Sequence, residues 1–140
     1  MRLFYWDRLP NLGDVLNRLL FPQAEWAAPV DAEWVAIGSV LEHFDGKNVT
    51  VFGTGRGGPN SPPTDLTQAR VLALRGMETR KYALGDLDSV ALGDPGLLAS
   101  DLVERKQGEY TAIVPHWKDQ ERMLALYPGT RFVDVTGDPW

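Results

Sequence analysis

Apolar residues along the chain change their spacing repeatedly. Short β-rich runs occur at residues 3–6, 34–37, 49–52, 71–74, 90–92, 112–114 and 132–135, several of them apolar at successive positions. Strands covered on both faces read this way. Between the runs, helical spacing predicts helices over 14–20, 40–44, 77–84, 95–103 and 119–126. Val15, Leu16, Leu19 and Leu20 make one apolar stripe, and Leu97, Leu98 and Leu102 make another. Strands alternating with helices predict an α/β fold, with a parallel sheet and right-handed crossovers.

Two stretches interrupt the rhythm. Residues 53–63, rich in glycine and proline directly after a strand, predict a long surface loop at a strand's carboxyl end. Residues 106–109 are a weaker polar break, where one unit can give way to another. A Gly-Asp-Pro device follows two strands, at Gly93-Asp94-Pro95 and at Gly137-Asp138-Pro139, where Asp can cap a helix and Pro suits its first position. The second device stands at the carboxyl terminus, so the last strand, 132–135, is expected to need a neighbour in the first sheet or in another copy of the chain.

Composition narrows the field. With 140 residues, 44% of them hydrophobic and 24% charged, the chain can form one domain of ordinary size with a real core. A formal charge of -5 without a run of like charge argues against duplex nucleic acid or an anionic membrane as the main partner. Without cysteine there are no disulfides, thiolate metal sites or cysteine nucleophiles, and the chain fits a reducing compartment. No apolar stretch of about 18 residues and no basic-then-apolar leader is present, so the expected setting is the cytoplasm.

In parallel α/β sheets ligands sit beyond the carboxyl ends of the strands, where helix N-termini present free amides. That rule selects Asn11, Gly13 and Asp14 after the first strand and Gly53 and Gly55 in the glycine loop. It also selects Arg75 and Gly76 (with Glu78 and Thr79 beyond), Asp94, and Pro115-His116-Trp117. Arg75 can fork a carboxylate or phosphate, or it can pair with Asp94 or Asp14 as a structural tie. Asp14 and Asp94 suit either a general base or a helix N-cap, and His116 suits proton transfer or a packing role. His43, on a short apolar helix, reads as structural, and Trp117 is placed to stack on a sugar ring. The glycine loop lacks the Lys-Ser/Thr ending of a P-loop and does not open onto an apolar helix as a dinucleotide fingerprint does. No metal-spaced cluster and no nucleophile-elbow serine appears.

The segments "NLGDVLNRLLF", "AIGSVLEHF", "VTVFGTG", "LALRGMETRKYAL", "ALGDPGLLASDL" and "AIVPHWKD" resemble, in order, the successive motifs of the polysaccharide pyruvyl transferase family. The resemblance implies a Rossmann-like parallel sheet with helices on both faces, as half of a glycosyltransferase-B-like pair of domains. Residues 1–107 would form the first domain, and 108–140 the opening strand-helix-strand of the second. It implies transfer of a pyruvyl group, as a ketal, from phosphoenolpyruvate to a sugar of a cell-surface polysaccharide, with no cofactor or metal. By the same resemblance His116 and Asp14 are candidate proton-transfer groups, and Asn11, Gly13, Gly53, Gly55, Arg75, Gly76 and Asp94 would bind substrate. The family's later His-Gly segment is not reached within these residues. The expectation is therefore a truncated or reduced protein, weakly active or inactive alone, or a homo-oligomer that rebuilds the cleft. The alternative is a non-enzymatic module for an anionic sugar or nucleotide-sugar.

Overall fold

The computed structural model describes residues 1–8, 12–102, 104 and 108–136. In chain order the elements are β1 (Arg2–Phe4), α1 (Leu12–Leu20), β2 (Glu25–Trp26), β3 (Trp34–Val35), a 3₁₀ turn (Leu41–Phe44), β4 (Thr50–Phe52), β5 (Thr64–Asp65) and β6 (Arg70–Leu74). There follow α2 (Met77–Lys81), β7 (Ala83–Leu84), β8 (Ala91–Leu92), a 3₁₀ helix (Pro95–Asp101), β9 (Ala112–Ile113), a 3₁₀ turn (Trp117–Asp119), α3 (Gln120–Leu126) and β10 (Arg131–Phe132).

Six strands form one sheet in the order β2-β1-β3-β4-β6-β8, and every neighbouring pair is parallel. The fold is α/β and Rossmann-like. Phe4, Val35 and Val51 sit opposite one another across the ladder and point into one buried cluster with Leu41, Phe44 and Leu74. Complete burial of a ring such as Phe44 contributes roughly 2–3 kcal/mol. Phe52, one residue on from Val51, points the other way and meets Phe21, just beyond α1, ring edge to ring face at 6.4 Å. Thus α1 covers the face opposite the Leu41–Phe44 turn, as right-handed crossovers require when the chain runs outward from β1 in both directions.

The seven predicted strands are present, most of them shorter than the apolar runs that signalled them. Three further strands, β2, β5 and β7, are two residues each, too short to show a period. The helix predicted over 77–84 ends at Lys81, because Ala83 and Leu84 are taken into a parallel ladder with Thr64 and Asp65. The helix predicted over 95–103 is a 3₁₀ helix, and Val103 lies outside the described residues. The final strand finds its neighbour outside the main sheet. β10 pairs with β9, Phe132 opposite Ile113, because α3 between them makes a crossover within the segment itself. Leu12 N–H donates to the Val135 carbonyl at 2.9 Å and ties this segment to the start of α1.

On α1 the predicted stripe of Val15, Leu16, Leu19 and Leu20 is only half-buried, and the buried positions are Asp14 and Asn17. Asn17 is fully enclosed: its amide nitrogen donates to the Ile37 carbonyl (3.0 Å) and the Asp14 carbonyl (3.1 Å), and its oxygen accepts from Ile37 N–H (3.0 Å). The side chain acts toward Ile37 as a strand would, so burying an amide costs little.

At the amino-terminal edge, Arg2 N–H donates to Glu33 at 3.1 Å and its guanidinium at 3.3 Å, which lowers the Glu33 carboxyl below its ordinary value of 4.5. Thr67 likewise lowers Asp65, through its N–H first and its hydroxyl second. Folded pKa values below the unfolded ones add stability at pH above the ordinary carboxylate range, and that stability is lost as pH falls through the lowered values. Glu33→Gln should therefore flatten the acid limb of the urea midpoint measured from about pH 6 down to pH 3, with no change at neutral pH in the slope against denaturant.

Candidate functional site

Strand order decides where a ligand can bind. From β1 the chain steps outward to β2 and then back past β1 to β3, so the carboxyl ends of β1 and β3 flank the point where the direction of winding reverses. Crevices open at such a point, because the connections leave to opposite faces. An open cleft of about 1070 Å³ lies there. Trp6, Gly13 and Asp14 enter it after β1, and Ile37, Gly38 and Ser39 after β3. The glycine loop, Arg75, Asp94 and His116 complete the wall.

Arg75 is held by neutral groups. Its Nη1 donates to the Gly38 carbonyl at 3.4 Å and to the Ser39 hydroxyl at 2.5 Å, and its Nη2 donates to the Arg56 carbonyl at 3.1 Å. Among the described residues its hydrogen bonds go to these oxygens and not to the carboxylates of Asp14 or Asp94. The Gly38 carbonyl is a hub, accepting also from Gly55 N–H (2.9 Å) and the Thr54 hydroxyl (2.8 Å). Because Asn17 clamps Ile37, the residue before this hub, α1 sets the position of the Arg75 anchor.

The glycine loop is pinned from two sides. The Arg56 guanidinium lies 3.9 Å from the centre of the Tyr82 ring and donates to the Pro59 carbonyl at 3.2 Å and to the Ser61 carbonyl. Glu42 accepts from Gly57 N–H at 3.0 Å, so the Leu41–Phe44 turn holds the loop at the rim of the cleft.

Other predicted residues fall in two groups. Gly13, Asp14, Arg75, Asp94 and His116 line the cleft. Gly53 and Gly55 are buried beneath it, Gly76 precedes α2 in extended conformation, and Asn11 lies outside the described residues. Asp14 stands inside the first turn of α1 rather than before the helix, so the N-cap reading of it is corrected; its carboxylate lies against Gly38. Asp94 is an N-cap: its Oδ1 accepts from Gly96 N–H at 2.8 Å. His116 caps the turn after it, with Nδ1 accepting from Lys118 N–H at 3.2 Å, which puts the proton of the neutral ring on Nε2. Nothing is described of the Trp117 side chain.

Sequence reasoning passed over Gly38 and Ser39, although they directly follow a predicted strand and the same edge rule points to them. It also passed over Asn17, whose role depends on a contact 20 residues away. Among the described residues no group of three or more His, Asp or Glu side chains could hold a metal ion, and no helix is long and apolar enough to cross a membrane.

Gly55 supports Arg75 by having no side chain, since a Cβ there would come within 2.3 Å of the guanidinium carbon. That end of an arginine is flexible, so Gly55→Ala should displace the cation while costing only about 1 kcal/mol of stability. An anion held by Arg75 should then bind about tenfold or more weakly, as measured by calorimetry beside a urea titration.

Comparison with protein families, with curated proteins and with solved structures finds no match to this chain.

Proposed function

We propose that the cleft binds phosphoenolpyruvate and that the chain is a transferase of the polysaccharide pyruvyl transferase kind. The observation that carries this reading is Arg75, a part-buried guanidinium at the switch point of a parallel sheet, held in place by two carbonyls and a hydroxyl. Neutral acceptors fix a cation without neutralising it, so it keeps its attraction for a carboxylate or phosphate. In the proposed reaction a proton adds to the methylene carbon of the enol, and a sugar hydroxyl adds to the neighbouring carbon. A second hydroxyl then displaces phosphate from that carbon, which closes the ketal. His116, with its proton on Nε2, and Asp14 are the candidate groups for moving those protons.

The cleft is open to solvent, so transfer by this chain alone is expected to be slow. The reaction would run in the cytoplasm, where phosphoenolpyruvate is made.

Calorimetric titration tests the reading. Phosphoenolpyruvate should give a saturable isotherm, weakened at least about tenfold in Arg75→Gln, as expected for one charge-assisted contact. No binding to the unaltered chain, or equal binding to the variant, would sink it. The size of the cleft, about 1070 Å³, favours a second reading, because it stands at the upper end of ligand pockets and exceeds what phosphoenolpyruvate fills. A nucleotide-sugar such as UDP-glucose binding more tightly than phosphoenolpyruvate would select a non-enzymatic sugar-nucleotide module.

A further inference from the structure

One part of the cleft wall is aromatic. Trp6 and His43 both line it, and their rings stack with centres 6.1 Å apart and planes 21° from parallel. His43 is braced from the core: Phe4 meets it edge-on at 5.7 Å, and Phe4 in turn meets the fully buried Phe44 at 5.5 Å. A line of rings thus runs from the core to the cleft wall and holds the indole on a rigid base. These packing contacts fit the structural role expected of His43.

We infer that Trp6, backed by His43, is the stacking platform of a second subsite, which takes a saccharide ring while Arg75 holds an anionic group. Trp6 follows β1, and the Arg75 guanidinium is anchored on Gly38 and Ser39 after the neighbouring β3, so both groups face one cleft from adjacent strand ends. The volume of the cleft, about 1070 Å³, suits two groups bound side by side better than one small anion. The same cleft is lined by Ser39, Glu42, Asn60 and Ser61, whose hydroxyl, carboxylate and amide groups match ring hydroxyls. An indole offers the flat apolar surface that the C–H face of a pyranose covers. The exposed Arg8 guanidinium lies 5.4 Å from the Trp6 ring centre, and a sugar replacing it gives up only a solvent-exposed cation–π contact, the weak kind.

The assignment rests on the cleft of the proposed function but not on the identity of its donor. In the unaltered chain, the indole N–H resonance of Trp6, identified by its loss in Trp6→Phe, and the His43 ring protons are followed by NMR. Methyl glucoside, methyl galactoside, methyl mannoside and uridine are titrated separately, each with and without phosphoenolpyruvate. At least one glycoside should shift both signals saturably. Its affinity should fall about tenfold in Trp6→Ala and be largely kept in Trp6→Phe, as stacking on a ring requires. Phosphoenolpyruvate affinity should be the same in all three proteins, which also shows that Trp6→Ala is folded. If no glycoside shifts these signals, or if uridine alone does, the platform is not a saccharide site. Glycoside binding without phosphoenolpyruvate binding would keep the platform and remove the donor, and the reverse result would do the opposite.

Discussion

Replacing Asn17 by leucine is expected to destabilise the fold by about 3–5 kcal/mol. Leucine keeps the branching of asparagine but is bulkier, so overpacking at this enclosed site adds to a loss that comes mainly from polarity. Ile37 N–H and C=O, now satisfied at 3.0 Å each by the Asn17 amide, would remain buried without partners. Stability of an ordinary domain is about 5–15 kcal/mol, so much of the population would unfold on mild heating. Urea denaturation followed by tryptophan fluorescence should show the midpoint falling with an unchanged slope, since the surface exposed on unfolding is nearly the same. The Ile37 and Gly55 amides should exchange faster with solvent than those of β4. A midpoint within a few tenths of molar of the parent would mean that the clamp carries no weight.

Gly53→Ala should be nearly as damaging, by about 3–4 kcal/mol, for a steric reason. Gly53 has φ +81, where an L side chain is strained, and a Cβ there would meet Pro95 Cδ at 2.2 Å and the Gly93 carbonyl at 2.7 Å. Neither obstacle can give way cheaply. Pro95 is buried and begins the 3₁₀ helix that packs on α1, and Gly93 N–H is held by the Leu74 carbonyl at 2.9 Å. Gly58→Ala, with nothing within 4 Å of its Cβ, is the control from the same loop and should change the midpoint little. Equal midpoints for the two alanine variants would contradict this account. The contrast with Gly55→Ala is informative, because there the obstacle is a movable guanidinium, and the loss falls on binding instead of on stability.

Much of the fold is legible in the order of residues. The apolar runs and helical spacings mark the principal strands and helices because each element buries a local, periodic set of side chains. Gly53 and the residues that follow it mark a loop at a strand end, and Arg75 and Asp94 are placed at the sheet's carboxyl edge by simple succession. Short ladders such as β5 with β7 leave no period to read, so Ala83 and Leu84 pass for the end of a helix.

What the sequence determines by itself is therefore the α/β class, the edge of the sheet that carries polar chemistry, and Arg75 as its cation. Tertiary structure alone decides the strand order and with it the switch point, since the same elements could be laid side by side in several ways. It alone converts Asn17 from a polar interruption of an apolar stripe into the clamp on Ile37. It also lays the Asp14 carboxylate against Gly38 and brings Trp6 against His43. These are contacts between residues far apart in the chain, created only when the sheet is assembled, and no local pattern carries them.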